Sequence, residues 1–304
     1  MCPGVGLPTA LEEAPPALAA GRRLLLKRED RHELGAFKWR GALPALRSYA
    51  ERGVAGVVTA STGNHGAATA WAARRTGLRA VVFVPEEVSR AKVALMEELG
   101  AELRPVGADV DEAKDAARGF ASAQDLPFFE DGAEPAQFEG YAAIGREIVD
   151  KLGERPALTV VPVGNGALLI GVAGGLGGGD GALGVVAKEA PVMALSVAAG
   201  RPVECDRMST FADGMAVRVA VPLAVEELVR LRTPFVEVSE RAIARSVGAF
   251  AAAGLRVEGS AAAALAALEV VEPPDGPVVL IVTGRNIDDD LHRRAVEEPE
   301  SFPD

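Results

Sequence analysis

Short apolar runs alternate with segments of helical periodicity along the first half of the chain. The apolar runs predict strands, and glycine or proline breaks separate them from stretches whose apolar residues recur at helical spacing. The predicted strands are 24–26, 54–60, 79–84, 102–106 and 128–129, and the predicted helices are 43–52, 66–75, 90–99 and 111–124. Strands and helices that alternate in this way indicate a parallel sheet with right-handed crossovers.

A second series of the same kind begins near Gln137. Its predicted helices are 137–151, 167–176, 240–253 and 261–270, and its predicted strands are 157–163, 192–197, 235–238 and 278–282. Ser89 and Ser239 are predicted helix N-caps. The glycine-rich stretch 174–184 is predicted to be a flexible surface loop, and the residues after His292 a peripheral tail.

The chain of 304 residues is longer than one hydrophobic core usually serves. We therefore predict an α/β fold of two lobes, each a mainly parallel sheet flanked by helices. The net charge of −11 argues against nucleic acid and anionic membranes as partners. Two cysteines and three histidines favour neither a disulfide framework nor a metal centre. With no apolar run of membrane length and no leader pattern, a cytoplasmic protein is expected.

One lysine stands among small and apolar residues, in the stretch Gly35-Ala36-Phe37-Lys38-Trp39-Arg40-Gly41. The other five lysines lie in contexts typical of solvated helix faces or exposed turns. Phe37 and Trp39 are expected to desolvate the Lys38 amine, and desolvation disfavours the charged form of an amine. A neutral amine is a nucleophile for Schiff-base chemistry. The alternative is an ordinary lysine at a helix N-terminus that extends past two aromatic rings to solvent.

Glycine-rich or polar residues follow three of the predicted strands, where parallel α/β sheets bind their ligands. Gly164-Asn165-Gly166 follows the strand 157–163 and opens a helix, an arrangement that binds phosphate through backbone N–H groups. The alternative is a tight turn without a ligand. The dinucleotide fingerprint is excluded because Leu169 replaces its third glycine, and the P-loop because no Gly-Lys-Ser/Thr follows.

The stretch Ser61-Thr62-Gly63-Asn64-His65-Gly66 follows the strand 54–60 and offers two hydroxyls, an amide and N–H groups at a helix start. This combination suits a carboxylate, with Asn64 able to reach a phenolic oxygen nearby. The alternative is that Ser61 or Thr62 is only the helix N-cap and His65 a satisfied surface histidine. Thr283 ends the strand 278–282, where its hydroxyl could donate to a heterocyclic nitrogen or simply close the strand.

Together these motifs resemble those of the pyridoxal-phosphate enzymes of the tryptophan-synthase β fold, fold type II. More narrowly, the chain is similar to the threonine/serine dehydratase and threonine synthase group. The resemblance covers most of the chain, with every motif in family order. It is carried by the lysine motif 37–41, the substrate loop 61–66, the phosphate-binding turn 163–168, and the dehydratase-like segments 212–217 and 257–261.

The resemblance implies a role for each matching residue. Lys38 would hold pyridoxal 5′-phosphate through a Schiff base, with Phe37 beside it. Asn64 would bind the ring hydroxyl oxygen, and Thr283 would face the pyridine nitrogen. The other residues form two sets: Gly164, Asn165, Gly166, Ala167 and Leu168 would bind the phosphate, and Ser61, Thr62, Gly63 and His65 would bind the substrate.

The implied activity is β-elimination on L-threonine or L-serine, which yields a 2-oxo acid and ammonia. The alternatives are threonine synthase-type replacement on O-phosphohomoserine and a non-catalytic homologue that only binds the cofactor. Ala36 replaces the family's usual serine, and the family's divalent-cation site is not carried over because 195–198 lacks its glutamate. We predict a homodimer, with a large cofactor-binding domain (1–42 and 137–304) and a small substrate-loop domain (43–136).

Overall fold

The computed structural model describes residues 8–88, 90–205 and 208–304. The predicted N-cap Ser89 therefore lies outside the described residues. The chain divides into two compact units, a large one of Met1–Phe37 with Tyr141–Asp304 and a small one of Lys38–Gly140. No described helix combines the length and the apolar character that crossing a membrane requires.

Strands and helices alternate through the described residues. The strands are β1 (Leu11–Glu13), β2 (Leu24–Arg28), β3 (Gly56–Ala60), β4 (Arg79–Val84), β5 (Glu102–Pro105), β6 (Leu158–Pro162), β7 (Ala182–Ala187), β8 (Phe235–Val238) and β9 (Val278–Val282). The α-helices are α1 (Pro16–Ala19), α2 (Trp39–Glu51), α3 (Asn64–Thr76), α4 (Arg90–Glu98), α5 (Val110–Ala123), α6 (Pro135–Leu152), α7 (Ala167–Gly175), α8 (Val192–Ala199), α9 (Pro222–Leu231), α10 (Glu240–Ala252), α11 (Gly259–Ala266) and α12 (Asp289–Glu297).

The large unit is built on a six-stranded sheet in the order β1-β2-β9-β6-β7-β8. Among the strands that the structure describes in this sheet, only the short edge strand β1 runs antiparallel to its neighbour. Strands β2, β6, β7 and β9 are buried along their whole length, as expected of parallel strands covered on both faces. Leu26, Val160 and Leu280 pack with Phe250 of α10 and Ala263 of α11 in one hydrophobic core.

The small unit is built on the parallel sheet β3-β4-β5. Val58 and Val81 of this sheet pack against Ala117 of α5. The predicted strand 128–129 is reduced to a single parallel bridge between Val58 and Phe128. Both units thus confirm the predicted α/β class.

Two predictions in the large unit are wrong. The stretch 174–184 is not wholly a loop, because its last residues belong to β7, and the predicted strand 192–197 is the helix α8. A short apolar run does not reveal by its periodicity whether it is a buried strand or a buried helix. Here the Ser196 hydroxyl donates to the Val192 carbonyl oxygen at 2.7 Å, and Gly200 ends α8 in the left-handed conformation.

The C-terminal residues are also more integrated than predicted. The helix α12 follows the last strand, and Ala295 within it is fully buried. Beyond α12, Phe302 is buried against Phe211, with ring centroids 4.6 Å apart. A few apolar residues on one face were enough to anchor an otherwise acidic segment to the core of the large unit.

Candidate active site

Residues 35–37 are fixed beside the end of β9 in the large unit. Phe37 N–H donates to the Thr283 carbonyl oxygen at 3.0 Å. Gly35 has φ of 66°, and a side chain there would collide with the Asn286 amide. Only glycine adopts this conformation without strain or overlap. The buried Phe37 therefore has a defined place at the carboxyl edge of the large sheet.

A glutamate that the sequence analysis did not single out for a role contacts Thr283. The Thr283 hydroxyl donates to Glu258 Oε1 at 2.9 Å, and both side chains are buried. Glu258 lies just before α11 and donates its own N–H to the Gly284 carbonyl oxygen at 3.1 Å. The segment 257–261 was recognised only as a family-like stretch, and nothing in the chain pattern shows that it pairs with a strand end 25 residues later.

The glycine turn 164–166 lies at the same sheet edge. It follows β6, which is the direct neighbour of β9 in the sheet. Gly166 is the N-cap of α7 with φ of 93°, and Asn165 Oδ1 accepts from Ala167 N–H at 3.1 Å. A Cβ at Gly164 would lie 2.2 Å from the Gly214 carbonyl oxygen. The turn is thus glycine-dependent and presents main-chain groups at the start of a nine-residue helix.

A serine hydroxyl is buried without a partner in the same region. Ser260 is 4% exposed, and no group in the described part of the chain forms a hydrogen bond with its hydroxyl. A Cβ on Gly214, the residue that contacts Gly164, would lie 2.7 Å from this hydroxyl. Buried hydroxyls in proteins are normally satisfied. An unpaired one beside the glycine turn fits a site that receives a polar ligand.

In the small unit, Lys38 lies directly before α2 and its side chain is 13% exposed. Its ammonium forms an ion pair with Asp131, whose other oxygen accepts from the Gln137 amide at 3.0 Å. Trp39 is buried and contacts Trp71 edge to face, with ring centroids 6.0 Å apart. Asp131 was not among the predicted site residues, because only the fold brings a carboxylate 93 residues away to this lysine.

Among the lysines whose side chains the structure describes, Lys27 is the one whose predicted exposure is clearly wrong. It lies within β2 and is fully buried. Its ammonium donates to the Thr9 carbonyl oxygen at 2.9 Å, contacts Glu147, and lies 3.9 Å from Glu29. Buried ions are tolerated when they are paired and hydrogen-bonded in this way. Lys27 is therefore a structural cation, although its burial exceeds that of Lys38.

His65 is buried rather than on the surface. Its Nε2 lies 3.1 Å from Thr59 Oγ1 and 3.3 Å from the Phe129 carbonyl oxygen. Since the Thr59 hydroxyl already donates its hydrogen to Phe129, Nε2 is the protonated nitrogen. The other nitrogen, Nδ1, lies 3.7 Å from Asp131 Oδ1. Burial lowers the pKa of His65 below its ordinary value, although the Asp131 charge opposes this shift.

The hydroxyls of the loop 61–63 do not cap the helix that follows it. The N-cap of α3 is Gly63, which has no side chain, and neither Ser61 nor Thr62 occupies that position. Ser61 Oγ instead accepts from Gly63 N–H at 3.2 Å, within the loop itself. The structure thus removes the capping explanation for the two hydroxyls, while Asn64 begins α3.

The predicted site residues that the structure describes form two groups, one in each unit. In the large unit, Phe37, Thr283 and the turn 164–168 lie at the ends of neighbouring strands. In the small unit, Lys38 and His65 both approach Asp131. A glycine turn for a phosphate, a strand-end hydroxyl and an unpaired buried serine fit pyridoxal phosphate, the cofactor that the resemblance implies.

Comparison with known proteins gives a consistent picture. The family described as pyridoxal-phosphate dependent enzyme matches residues 4–284. An L-threonine ammonia-lyase of Thermotoga maritima is 30% identical over 284 residues, which cover 91% of this chain and 71% of that protein. A biosynthetic L-threonine dehydratase of Pasteurella multocida is 34% identical over 202 residues. That alignment covers 65% of this chain but only 39% of the relative's length.

Solved structures give the same relationship at the level of the fold. The processed form of threonine deaminase isoform 2 from Solanum lycopersicum matches with a TM-score of 0.89 and 26% sequence identity. The match covers 97% of this chain and 89% of that chain. The predicted fold type II architecture is thereby confirmed.

Proposed function

Because the chain belongs to the family of pyridoxal-phosphate-dependent enzymes, we propose that it catalyses β-elimination on a small hydroxy amino acid, L-threonine or L-serine. The products are a 2-oxo acid and ammonia. The observation that carries the proposal is the hydrogen bond from Phe37 N–H to the Thr283 carbonyl oxygen. It fixes the residue before Lys38 to the strand end that bears the hydroxyl, beside the strand that leads into the glycine turn. The dehydratase and ammonia-lyase relatives support the choice of substrate.

We assign each cofactor contact to the residue that the family resemblance implies. Lys38 would hold the cofactor aldehyde, Asn64 the ring hydroxyl oxygen, Thr283 the ring nitrogen, and 164–168 the phosphate. When bound, pyridoxal phosphate supplies an electron sink for the bond cleaved at Cα. The protein would supply the binding energy and orientation, and the Lys38 amine would move the Cα proton.

The substrate carboxylate is assigned to the loop 61–63. The start of α3 carries a partial positive charge and N–H donors that suit an anion. The Ser61 and Thr62 hydroxyls, which do not cap α3, add two donors. We assign His65 a supporting role for this loop, because its Nε2 already forms hydrogen bonds with Thr59 and Phe129. Ala36 carries no donor for the departing hydroxyl. The homodimer and the cytoplasmic location stay predictions.

A substrate panel tests the proposal. Cofactor-loaded protein is incubated with L-threonine, L-serine and O-phosphohomoserine, and ammonia, 2-oxo acid and phosphate are assayed separately. We expect ammonia and 2-oxo acid in equal amounts from a hydroxy amino acid, and none from a Lys38→Ala variant. Release of phosphate from O-phosphohomoserine with formation of threonine would replace this proposal by the synthase reaction. No turnover of any compound would favour a non-catalytic protein.

A further inference from the structure

A carboxylate of the small unit contacts the amine that the proposed reaction uses. Asp131 Oδ2 forms an ion pair with Lys38 Nζ, and the two side chains are only 19% and 13% exposed. An ion pair is the form that these two groups take once the lysine has accepted a proton. A proton that leaves the Lys38 ammonium therefore has the Asp131 carboxylate as an immediate acceptor.

The segment before α6 fixes which oxygen of Asp131 faces the lysine. Gln137 is fully buried, and its side-chain N–H donates to Asp131 Oδ1 at 3.0 Å. The side-chain oxygen of Gln137 accepts from Gly132 N–H at 2.9 Å, so both ends of the amide hold this segment. Gly132 has φ of 88°, a left-handed conformation that favours glycine. Oδ1 is thus committed to Gln137, and Oδ2 is presented to the Lys38 amine.

His65 also approaches Asp131, but its neutral ring cannot supply a proton there. Its Nδ1 lies 3.7 Å from Asp131 Oδ1. Burial lowers the pKa of His65 below its ordinary value, so the ring is neutral at neutral pH. The one hydrogen of the neutral ring is on Nε2, which bonds with Thr59 and Phe129. Asp131, rather than His65, is therefore the group that can transfer a proton beside Lys38.

We propose that Asp131 is a catalytic residue that passes a proton from Lys38 to the departing β-hydroxyl group of the substrate. The inference rests on the proposed function, in which the Lys38 amine takes the Cα proton. Asp131 supplies the donor that Ala36 lacks.

The step balances without any further reactant. One proton of the Lys38 ammonium moves to Asp131 Oδ2, and from there to the hydroxyl oxygen as the Cβ–O bond breaks. The electron pair of the Cα–H bond becomes the second bond between Cα and Cβ, and the pair of the Cβ–O bond leaves with the oxygen as water. Lys38 is then a neutral amine again and Asp131 a carboxylate.

Two substrates with different leaving groups test this role. L-Serine loses a hydroxyl group, which needs a proton, whereas β-chloro-L-alanine loses chloride, which does not. Both first lose the same Cα proton. Asp131→Asn keeps the size of the side chain and an oxygen for Gln137, but it cannot pass a proton. General acid catalysis contributes about 10²–10⁴-fold, so we expect kcat for L-serine to fall by about this factor and kcat for β-chloro-L-alanine to stay nearly unchanged.

Glu134→Gln is the matched control, because Glu134 is a carboxylate of the same segment that contacts the Tyr49 hydroxyl instead. Its ratio of the two kcat values should equal that of the wild type. Two further readouts do not depend on turnover. Both variants should bind pyridoxal phosphate and become attached to it at Lys38 on borohydride reduction. In heavy water, Asp131→Asn should exchange the Cα hydrogen of L-serine for deuterium faster than it eliminates water, as measured by proton NMR.

An equal fall of kcat for both substrates, or no exchange at Cα, would overturn the inference, because Asp131 would then act on Lys38 alone or on the fold. An unchanged kcat for L-serine would overturn it as well. If Asp131→Asn does not fold, Asp131→Ala takes its place. Formate, a small carboxylate, should then restore elimination from L-serine without changing that from β-chloro-L-alanine, and a lack of restoration would overturn the inference.

The wild type separates this inference from the proposed function. If the wild type forms no ammonia and 2-oxo acid from L-serine or L-threonine, the proposed function fails and this inference fails with it. If the wild type forms them and Asp131→Asn behaves like Glu134→Gln, only the role of Asp131 is refuted.

Discussion

Replacing Gly164 with alanine tests whether the glycine turn is as tightly enclosed as the structure shows. The added Cβ would lie 2.2 Å from the Gly214 carbonyl oxygen, whereas real Cβ atoms essentially never come closer than 3.0 Å. One of the two backbone segments must therefore move by at least 0.8 Å, the difference between these distances. Forcing extra volume into a packed site costs about 1–3 kcal/mol.

Gly174 provides a control in α7, the helix that follows the turn. A Cβ at Gly174 meets no atom within 4 Å. Alanine is the better helix former, so Gly174→Ala should be neutral or stabilise the protein by up to about 1 kcal/mol. The two variants make the same chemical change, but only the methyl group at position 164 meets a neighbouring backbone atom.

Urea unfolding of the cofactor-free proteins and titration with pyridoxal phosphate give the two readouts. Gly164→Ala should lower the free energy of unfolding by about 1–3 kcal/mol. If the displaced turn loses one hydrogen bond to the phosphate, worth about 1.5–3 kcal/mol, the Kd rises roughly tenfold to a hundredfold. If the free energy of unfolding of Gly164→Ala matched that of Gly174→Ala, the close approach of Gly164 to Gly214 would be refuted. An unchanged Kd would refute the role of this turn in holding the phosphate.

Three further predictions concern the small unit. Ser61→Ala should raise the KM roughly tenfold or more by removing one hydrogen bond to the substrate carboxylate, and should leave the cofactor spectrum unchanged, whereas Asn64→Ala should shift the spectrum and lower turnover. The same effect in both variants would contradict the assignment of Ser61 to the substrate and Asn64 to the cofactor. The pKa of His65 in the folded protein lies below the ordinary value of 6.5, so its contribution to stability should be complete above pH 6.5 and should be lost as the pH falls through the folded pKa. His65→Gln keeps a side-chain N–H donor but does not titrate, and its urea unfolding midpoint should therefore depend less on pH. Asp131→Asn should destabilise the cofactor-free protein less when Lys38 is replaced by methionine, with a coupling energy of about 0.5–3 kcal/mol in a double-mutant cycle. Strict additivity of the two substitutions would show that the Lys38–Asp131 ion pair does not contribute to stability.

The sequence predicted most of the elements and the residues at the ends of strands. Strong patterns such as 79–84 and 278–282 match β4 and β9 residue for residue. The predicted N-cap Ser239 is also confirmed, because its hydroxyl accepts from Ala242 N–H at 3.2 Å. These features depend on local chemistry that a single sequence displays.

What the sequence could not predict depends on contacts between distant segments. Nothing near Lys38 indicates Asp131, and nothing near Thr283 indicates Glu258, because each partner reaches its place only through the fold. Lys27 was predicted to be exposed for the same reason, because Glu147, which its ammonium contacts, is 120 residues away in the chain. The errors at 174–184 and 192–197 have a different cause: β7 and α8 are short apolar runs, and a short run does not reveal by its periodicity whether it is a strand or a helix.

Borohydride reduction of the cofactor-loaded protein, followed by peptide mapping, tests most directly whether Lys38 is the residue that binds pyridoxal phosphate. The predicted result is a yellow protein in which one peptide is modified, at Lys38. Lys27 should stay unmodified, because its ammonium is enclosed by Thr9, Glu29 and Glu147. A Lys38→Ala variant should not become modified. Modification of Lys27 or of any other lysine, or no visible absorbance after reconstitution, would contradict the assignment.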